Sequence, residues 1–109
     1  MPAASGARVA TVNPASGAVL TQVAECGPED VDRAVAAART AFDSGVWSRC
    51  APTARKAVLK RLAALISDNA VELALLDSLD GGKRIVDTSS IDVPGSAAIL
   101  EWYAEAVDK

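Results

Sequence analysis

The hydrophobic pattern of the chain falls into two β-prone runs near the N-terminus and helical repeats after them. The runs cover residues 9–12 and 18–24 and flank the segment Asn13-Pro14-Ala15-Ser16-Gly17. Asn, Pro and Ser favour turns, and glycine readily adopts a positive φ. The pattern predicts a short β-hairpin, preceded by a flexible tail over residues 1–8.

Four helices are predicted after the hairpin. The first opens at Pro28 with acidic residues in its first turn, a start signal, and its apolar residues recur at helical spacing. The second is expected from about Pro52 to Asn69, the third over residues 71–79, and the fourth from near Asp92 or Pro94 to Lys109. The apolar positions of the first helix are Val31, Ala34, Val35, Ala38 and Phe42, and those of the third, at three-residue spacing, are Leu73, Leu76 and Leu79. The predicted buried positions of the second and fourth helices are Val58, Leu59, Leu62, Leu65, Ile66, Ile99, Leu100, Tyr103 and Val107.

The composition points to one small domain with a thin core. Hydrophobic residues make up 50% of the 109 residues, but aromatic residues only 4%. A core of alanine, valine and leucine buries little area per residue, so the chain is expected to pack against something else. The last helical pattern continues to Lys109 without a capping glycine.

Charge and cysteine content exclude several classes of protein. A net charge of −3 argues against nucleic-acid binding, and the basic residues Arg55, Lys56, Lys60 and Arg61 are expected to form a solvated helix face. We find no membrane-spanning run and no signal peptide, which favours the cytoplasm. Two cysteines without any histidine suit neither a zinc site nor a nucleophile paired with a histidine base.

The stretch "LDGGKRI", residues 79–85, has two interpretations. A phosphate-binding loop would need a longer glycine-spaced run, Ser or Thr after the lysine, and a strand before it. Here a helical pattern precedes the glycines and Arg84 follows Lys83. We therefore interpret Gly81 or Gly82 as the left-handed residue that ends the third helix, with Lys83 near the negative end of that helix. The residues alone show no self-contained active site.

Taken in order, five segments resemble the N-terminal part of the NAD(P)-dependent aldehyde dehydrogenase superfamily. They are "TVNPASGAVLTQVAE", "EDVDRAVAAARTAF", "VWSRCAPTARKAVLKRLAALI", "ELALLDSLDGGK" and "IDVPGSAAILEWYAEAVDK". A glycine and a lysine at the end of this helix are typical of the family, although Arg84 replaces the proline that usually follows the lysine. The segment "TSSIDVPGSAAILEWYAEAVDK" is similar to bacterial aminoaldehyde dehydrogenases, including those acting on γ-glutamyl-γ-aminobutyraldehyde in putrescine breakdown.

The resemblance implies an α/β fold, of which this chain would be an incomplete part. Residues 9–109 would form the N-terminal helical part of the cofactor-binding domain, without the Rossmann core and the catalytic domain. The family oxidises an aldehyde to a carboxylic acid with a cysteine thiolate, NAD(P) and a glutamate-activated water, and is usually homo-oligomeric. Those catalytic residues lie further downstream in the family, and neither Cys26 nor Cys50 matches the nucleophile, so the chain alone is expected to be inactive.

Two sites follow from the resemblance. The backbone at Thr11 and Val12 and the side chain of Asp80 match a structural monovalent-cation site, although Asp80 also fits an ordinary exposed acid. Asp92, Gly95 and Ile99 match the border of a substrate tunnel, where Asp92 would attract a cationic aminoaldehyde; otherwise Asp92 merely caps the fourth helix ahead of Pro94. A different hypothesis for the whole chain is a free-standing helical module that binds a protein partner.

Overall fold

The computed structural model describes residues 2–109, which divide into two compact units, residues 2–50 and 51–109. The first unit contains strands β1 (Arg8–Val12) and β2 (Val19–Ala24) and helix α1 (Pro28–Ser44). The second contains α2 (Pro52–Asp68), α3 (Ala70–Gly81), α4 (Ile85–Asp87), a π-helical segment (Thr88–Asp92) and α5 (Val93–Ala106). Because α4, the π-helical segment and α5 follow one another directly, they form the fourth helical stretch. The predicted hairpin and four helices are confirmed.

The hairpin is antiparallel, and its turn is built as its residues predict. Arg8 lies opposite Ala24, and the register shifts by one residue after Thr11, which marks a β-bulge. In the turn, the Asn13 carboxamide oxygen accepts hydrogen bonds from the backbone N–H groups of the second and third residues after it, at 2.9 and 3.2 Å. Gly17 has a φ of 74°, a conformation that favours glycine.

Helix α1 begins at the predicted signal and ends at a glycine. Pro28 is its first residue, and the Asp30 carboxylate accepts the N–H of Gly27 at 3.1 Å. The same carboxylate accepts the N–H of Ala4 at 2.9 Å, which attaches residues ahead of β1 to this helix. The flexibility proposed for residues 1–8 stays a prediction. Gly45, with a φ of 76°, ends the helix.

Helix α3 ends at the glycine pair, as predicted. Gly82 adopts the left-handed conformation, with a φ of 70°, and its N–H donates to the Ser78 carbonyl at 3.1 Å. The Ser78 hydroxyl then donates to the Lys83 carbonyl at 2.7 Å. "LDGGKRI" therefore ends a helix rather than cradling a phosphate.

The fourth helical stretch starts earlier than predicted. We expected it near Asp92 or Pro94, but the backbone is helical from Ile85. The β-branched residues and serines of this segment have weak helix propensity, so its local sequence indicates no helix. Other contacts stabilise it: Arg84 donates two hydrogen bonds to the Asp87 carboxylate, and the buried Thr88 side chain bonds to the Ala74 carbonyl of α3 at 2.9 Å.

The predicted core of the second unit is wrong for most of its large residues. Leu62 and Leu65 are 44% and 41% exposed, and Ile99 and Tyr103 are 59% and 58% exposed. Val58 is also exposed, whereas Leu59, Ile66, Leu100 and Val107 are half-buried. The three leucines of α3, Leu73, Leu76 and Leu79, are exposed as well. The buried residues of this unit are Ala63, Ala74, Thr88, Val93, Ala97 and Ala104. Helical periodicity identifies an apolar face, but it does not show what covers that face.

Helices α2 and α5 pack together, and charged pairs lie along their contact. Lys56 and Lys60 of α2 both bind the Glu105 carboxylate, with a Lys56 Nζ to Oε2 distance of 2.6 Å. Lys56 also lies 3.4 Å from an oxygen of Asp108. Hydrogen bonds from the two lysines hold the pKa of Glu105 at about 2, below its ordinary value. Of the four basic residues predicted on a solvated face, these two therefore connect two helices.

Candidate functional site

The segment predicted to border a substrate tunnel begins at the end of the π-helical segment. A π-helical turn holds an extra residue compared with an α-helical turn, and such turns occur frequently at functional sites. Thr88, the first residue of the segment, is fully buried, and its one hydroxyl hydrogen is shared between the carbonyl oxygens of Ala74 and Ile85, at 2.9 and 3.1 Å. The bond to Ala74 connects the π-helical segment, whose last residue is Asp92, to α3.

Asp92 does not cap a helix. Its backbone is helical, with φ −68° and ψ −53°, and its side chain makes no capping bond to α5. Since the helical stretch already begins at Ile85, Asp92 lies within it, and the capping interpretation is wrong. Its carboxylate accepts a hydrogen bond from the Lys83 ammonium at 2.8 Å, and its side chain is 34% exposed.

Lys83 is shared between two carboxylates. Besides Asp92, its ammonium lies 3.8 Å from an oxygen of Asp77 on α3. The hydrogen bond to Asp92 raises the pKa of Lys83 above its ordinary value. Arg84 forms an ion pair with Asp87 and does not belong to this cluster. The cluster of Asp77, Lys83 and Asp92 therefore carries two negative charges and one positive charge. The group therefore keeps one net negative charge at the surface.

Gly95 and Ile99 continue along the same side of the helix as Asp92. Spacings of three and seven residues place side chains on one helix face. A Cβ added at Gly95 would meet no atom within 4 Å, so there is open space above this glycine. Ile99 is 59% exposed, and one turn further Tyr103 forms an edge-to-face pair with Trp102, with ring centroids 5.0 Å apart. The structure thus combines an acidic group with an open apolar surface.

The residues predicted to hold a cation are distributed over both units. Thr11 and Val12 lie at the β-bulge of the hairpin, in the first unit, whereas Asp80 is an exposed residue in the last turn of α3, in the second. Backbone carbonyls and a carboxylate are oxygen ligands, the type that a hard cation prefers. Within residues 2–109, no group of three or more Cys, Asp or Glu side chains is arranged to hold a metal ion.

Other chemistry is sparse in the part of the chain that the structure describes. Cys26 is exposed, Cys50 is half-buried, and both are free thiols. Every helix among residues 2–109 is too short or too polar to cross a membrane.

Comparison with known proteins decides the family. The whole chain, residues 1–109, matches the aldehyde dehydrogenase family. The chain belongs to this family. The resemblance seen in the five sequence segments is therefore confirmed, including the assignment to the N-terminal part of the aldehyde dehydrogenase fold. The free-standing helical module gains no support.

Relatives of this aldehyde dehydrogenase segment include enzymes named for aminoaldehydes. The chain is 47% identical over 107 residues to the aminoacetaldehyde dehydrogenase of Pseudomonas aeruginosa, covering 98% of the chain and 22% of that protein. It is similar to a solved structure, the γ-glutamyl-γ-aminobutyraldehyde dehydrogenase of Burkholderia cenocepacia, with 54% identity and a TM-score of 0.98 over 100% of the chain and 22% of that structure. A Pseudomonas syringae indole-3-acetaldehyde dehydrogenase solved with NAD⁺ is 50% identical, with a TM-score of 0.96 over 99% of the chain and 22% of that structure. The chain thus spans 22% of the length of each of these proteins.

Two residues of this site were missed by reasoning from the sequence. The sequence predicts Lys83 only beside a helix end, and Thr88 lies between the third and fourth predicted helices. The spacing of nine residues between Lys83 and Asp92 carries no recognisable helical or strand signal. Only the contact between the π-helical segment and α3 brings these groups together.

Proposed function

We propose that this chain is part of an NAD(P)-dependent aldehyde dehydrogenase that oxidises an aminoaldehyde to a carboxylic acid. Within that enzyme the segment serves as scaffold and forms part of the wall of the substrate tunnel. The similarity of 98–100% of the chain to an aminoacetaldehyde and a γ-glutamyl-γ-aminobutyraldehyde dehydrogenase supports this proposal. We place the catalytic thiolate, the glutamate base and the NAD(P) contacts in parts of the enzyme other than these residues, so that the 109-residue chain alone does not turn over substrate.

The observation that carries the aminoaldehyde preference is the position of Asp92. Its carboxylate is partly exposed beside Gly95 and Ile99, in a cluster with one net negative charge. A protonated amine on the far end of an aldehyde would be attracted to this charge while its methylene chain lies on the apolar surface. Gly95 leaves room for that chain because no side chain occupies the space above it.

Replacing Asp92 with asparagine should reduce the preference for aminoaldehydes. The substitution keeps the shape of the side chain but removes its charge, so we expect kcat/KM for an ω-aminoaldehyde to fall about fivefold relative to the alkyl aldehyde of equal length. The assay uses a hybrid enzyme, in which this chain replaces the matching segment of the Burkholderia cenocepacia γ-glutamyl-γ-aminobutyraldehyde dehydrogenase. Asp68→Asn, an exposed acid at the end of α2, is the matched control. If Asp92→Asn leaves the ratio of the two kcat/KM values unchanged, Asp92 is not the anchor that attracts the amine.

A monovalent cation bound by Thr11, Val12 and Asp80 is a further part of the proposal. Backbone carbonyls at Thr11 and Val12 and the Asp80 carboxylate would supply oxygen atoms, the ligands that a hard cation prefers. We expect the melting temperature of the hybrid enzyme to rise when Na⁺ or K⁺ replaces an organic cation. Asp80→Ala is expected to abolish this rise. Asp68→Ala removes a comparable exposed carboxylate at the end of a helix and should retain that rise. If the melting temperatures of the Asp80→Ala and Asp68→Ala variants depend equally on the cation, the proposal is refuted.

The remaining assignments follow from the same proposal. We place the enzyme in the cytoplasm, as a homo-oligomer, with a role in putrescine breakdown. The name of the Burkholderia cenocepacia relative supports the substrate class, and residues 9–109 would form the N-terminal helical part of the cofactor-binding domain.

A further inference from the structure

The backbone that carries Lys83 is held in place on both sides. Gly82 ends α3 in the left-handed conformation, and the Ser78 hydroxyl donates to the Lys83 carbonyl at 2.7 Å. On the other side, Arg84 is tied to Asp87 by two hydrogen bonds at 2.8 and 3.0 Å. These contacts hold the backbone from which the Lys83 side chain extends toward the π-helical segment.

The Lys83 ammonium reaches the carboxylate that the proposed function assigns to substrate recognition. Its distance to the Asp92 oxygen is 2.8 Å, against 3.8 Å to Asp77. The Asp92 and Asp77 side chains are 34% and 39% exposed, so both carboxylates remain partly in contact with solvent. At such sites charges interact across a few ångströms without being fully screened.

We infer that Lys83 is a specificity-determining positioning residue, whose ammonium limits the negative charge that Asp92 presents to a cationic aldehyde. This inference rests on the proposed function of Asp92. Lys83 acts through Asp92 and does not touch the reacting atoms. It lowers the attraction for an amine-bearing substrate, so the enzyme accepts uncharged aldehydes beside charged ones.

The sign of the effect separates this role from a structural one. If Lys83 only stabilised the fold, its loss would lower kcat for charged and uncharged aldehydes alike. If it moderates charge, its loss leaves Asp92 and Asp77 without a partner and strengthens the binding of a cationic substrate. The preference for aminoaldehydes then rises in the variant, opposite to the effect of Asp92→Asn.

The test compares variants of the hybrid enzyme on an ω-aminoaldehyde and the alkyl aldehyde of equal length. We expect Lys83→Met to raise the ratio of the two kcat/KM values about threefold, through a lower KM for the aminoaldehyde. Lys83→Gln, which also removes the charge but keeps a hydrogen-bond donor, should give the same rise, and Lys83→Arg should keep the original ratio. Lys60→Met is the matched control, because the Lys60 and Lys83 side chains are both 51% exposed and paired with a carboxylate.

Combining the substitutions shows through which residue Lys83 acts. The double variant Lys83→Met/Asp92→Asn should have the ratio of Asp92→Asn alone. If Asp92→Asn lowers the ratio while Lys83→Met and Lys83→Gln leave it unchanged or lower it, the role of Lys83 is overturned and the Asp92 anchor stands. If Asp92→Asn has no effect, both are overturned.

Discussion

Replacing Ala104 with leucine is expected to destabilise the second unit by about 2–3 kcal/mol. Ala104 is fully buried on α5, the helix that packs against α2. Its methyl group leaves room for close approach of the two helices, and a leucine side chain adds three carbon atoms at a position without free space. To admit them, α5 would have to move away from α2, which would also lengthen the Lys56–Glu105 ion pair, now 2.6 Å.

The matched control for this substitution is Ala98→Leu. Ala98 lies on the same helix but is exposed, so added carbon atoms extend into solvent, and we expect a change within about 0.5 kcal/mol. Urea unfolding of the 109-residue chain, followed by far-UV circular dichroism, measures the difference. The rate of thermal inactivation of the hybrid enzyme provides a second measurement. Equal stability of Ala104→Leu and Ala98→Leu would show that α2 and α5 do not pack through small residues.

Thr88→Val is expected to reduce stability by about 1–2 kcal/mol. Valine has nearly the shape of threonine, but it cannot donate the 2.9 Å hydrogen bond to the Ala74 carbonyl of α3. Because Thr88 is fully buried, no solvent replaces this bond. We also expect a weaker preference for aminoaldehydes in the hybrid enzyme, since the π-helical segment that places Asp92 loses its attachment.

Thr40→Val provides the control for the lost hydroxyl. The Thr40 hydroxyl donates to the Ala36 carbonyl at 2.9 Å, but the residue is exposed on α1, where water replaces the bond. The same urea unfolding and aldehyde assays apply to both variants. A Thr88→Val protein as stable as Thr40→Val, with an unchanged aldehyde preference, would contradict an anchoring role for Thr88.

Much of the secondary structure was predictable because its signals are local. The hairpin turn follows from Asn13, whose carboxamide oxygen accepts a hydrogen bond from the backbone two residues later, and from Gly17, which takes a positive φ. The start of α1 follows from Pro28, and the end of α3 follows from Gly82. Each of these residues acts on its immediate neighbours, so no knowledge of distant contacts is needed.

The start of the fourth helical stretch was not predictable in the same way. Residues 85–92 contain β-branched residues and serines, which have weak helix propensity. Their helical and π-helical conformation depends on the buried Thr88, which bonds to a residue 14 positions earlier in the chain. A contact of this range overrides local preference, and it also decided that Asp92 lies inside a helix rather than at its cap.

In the candidate site, too, some features were predictable from the sequence and others depended on distant contacts. The resemblance to aldehyde dehydrogenases selected Asp92, Gly95 and Ile99, and their spacing on one helix face follows from their positions in the chain. The pairing of Asp92 with Lys83 did not follow, because the lysine lies before the fourth helical stretch and the aspartate lies within it. That pairing gives Lys83 a role that helix termination alone does not suggest.

By itself the sequence determined the family, the hairpin turn, the start of α1 and the end of α3, because turn residues and helix-end signals act over a few positions. It also determined which helix faces are apolar. Only the tertiary structure decided that alanines, with Val93 and Thr88, form the buried contacts of the second unit, while larger residues such as Leu62 and Ile99 stay exposed. The physical reason is that burial depends on which surfaces meet in space, and residues far apart in the chain supply those surfaces.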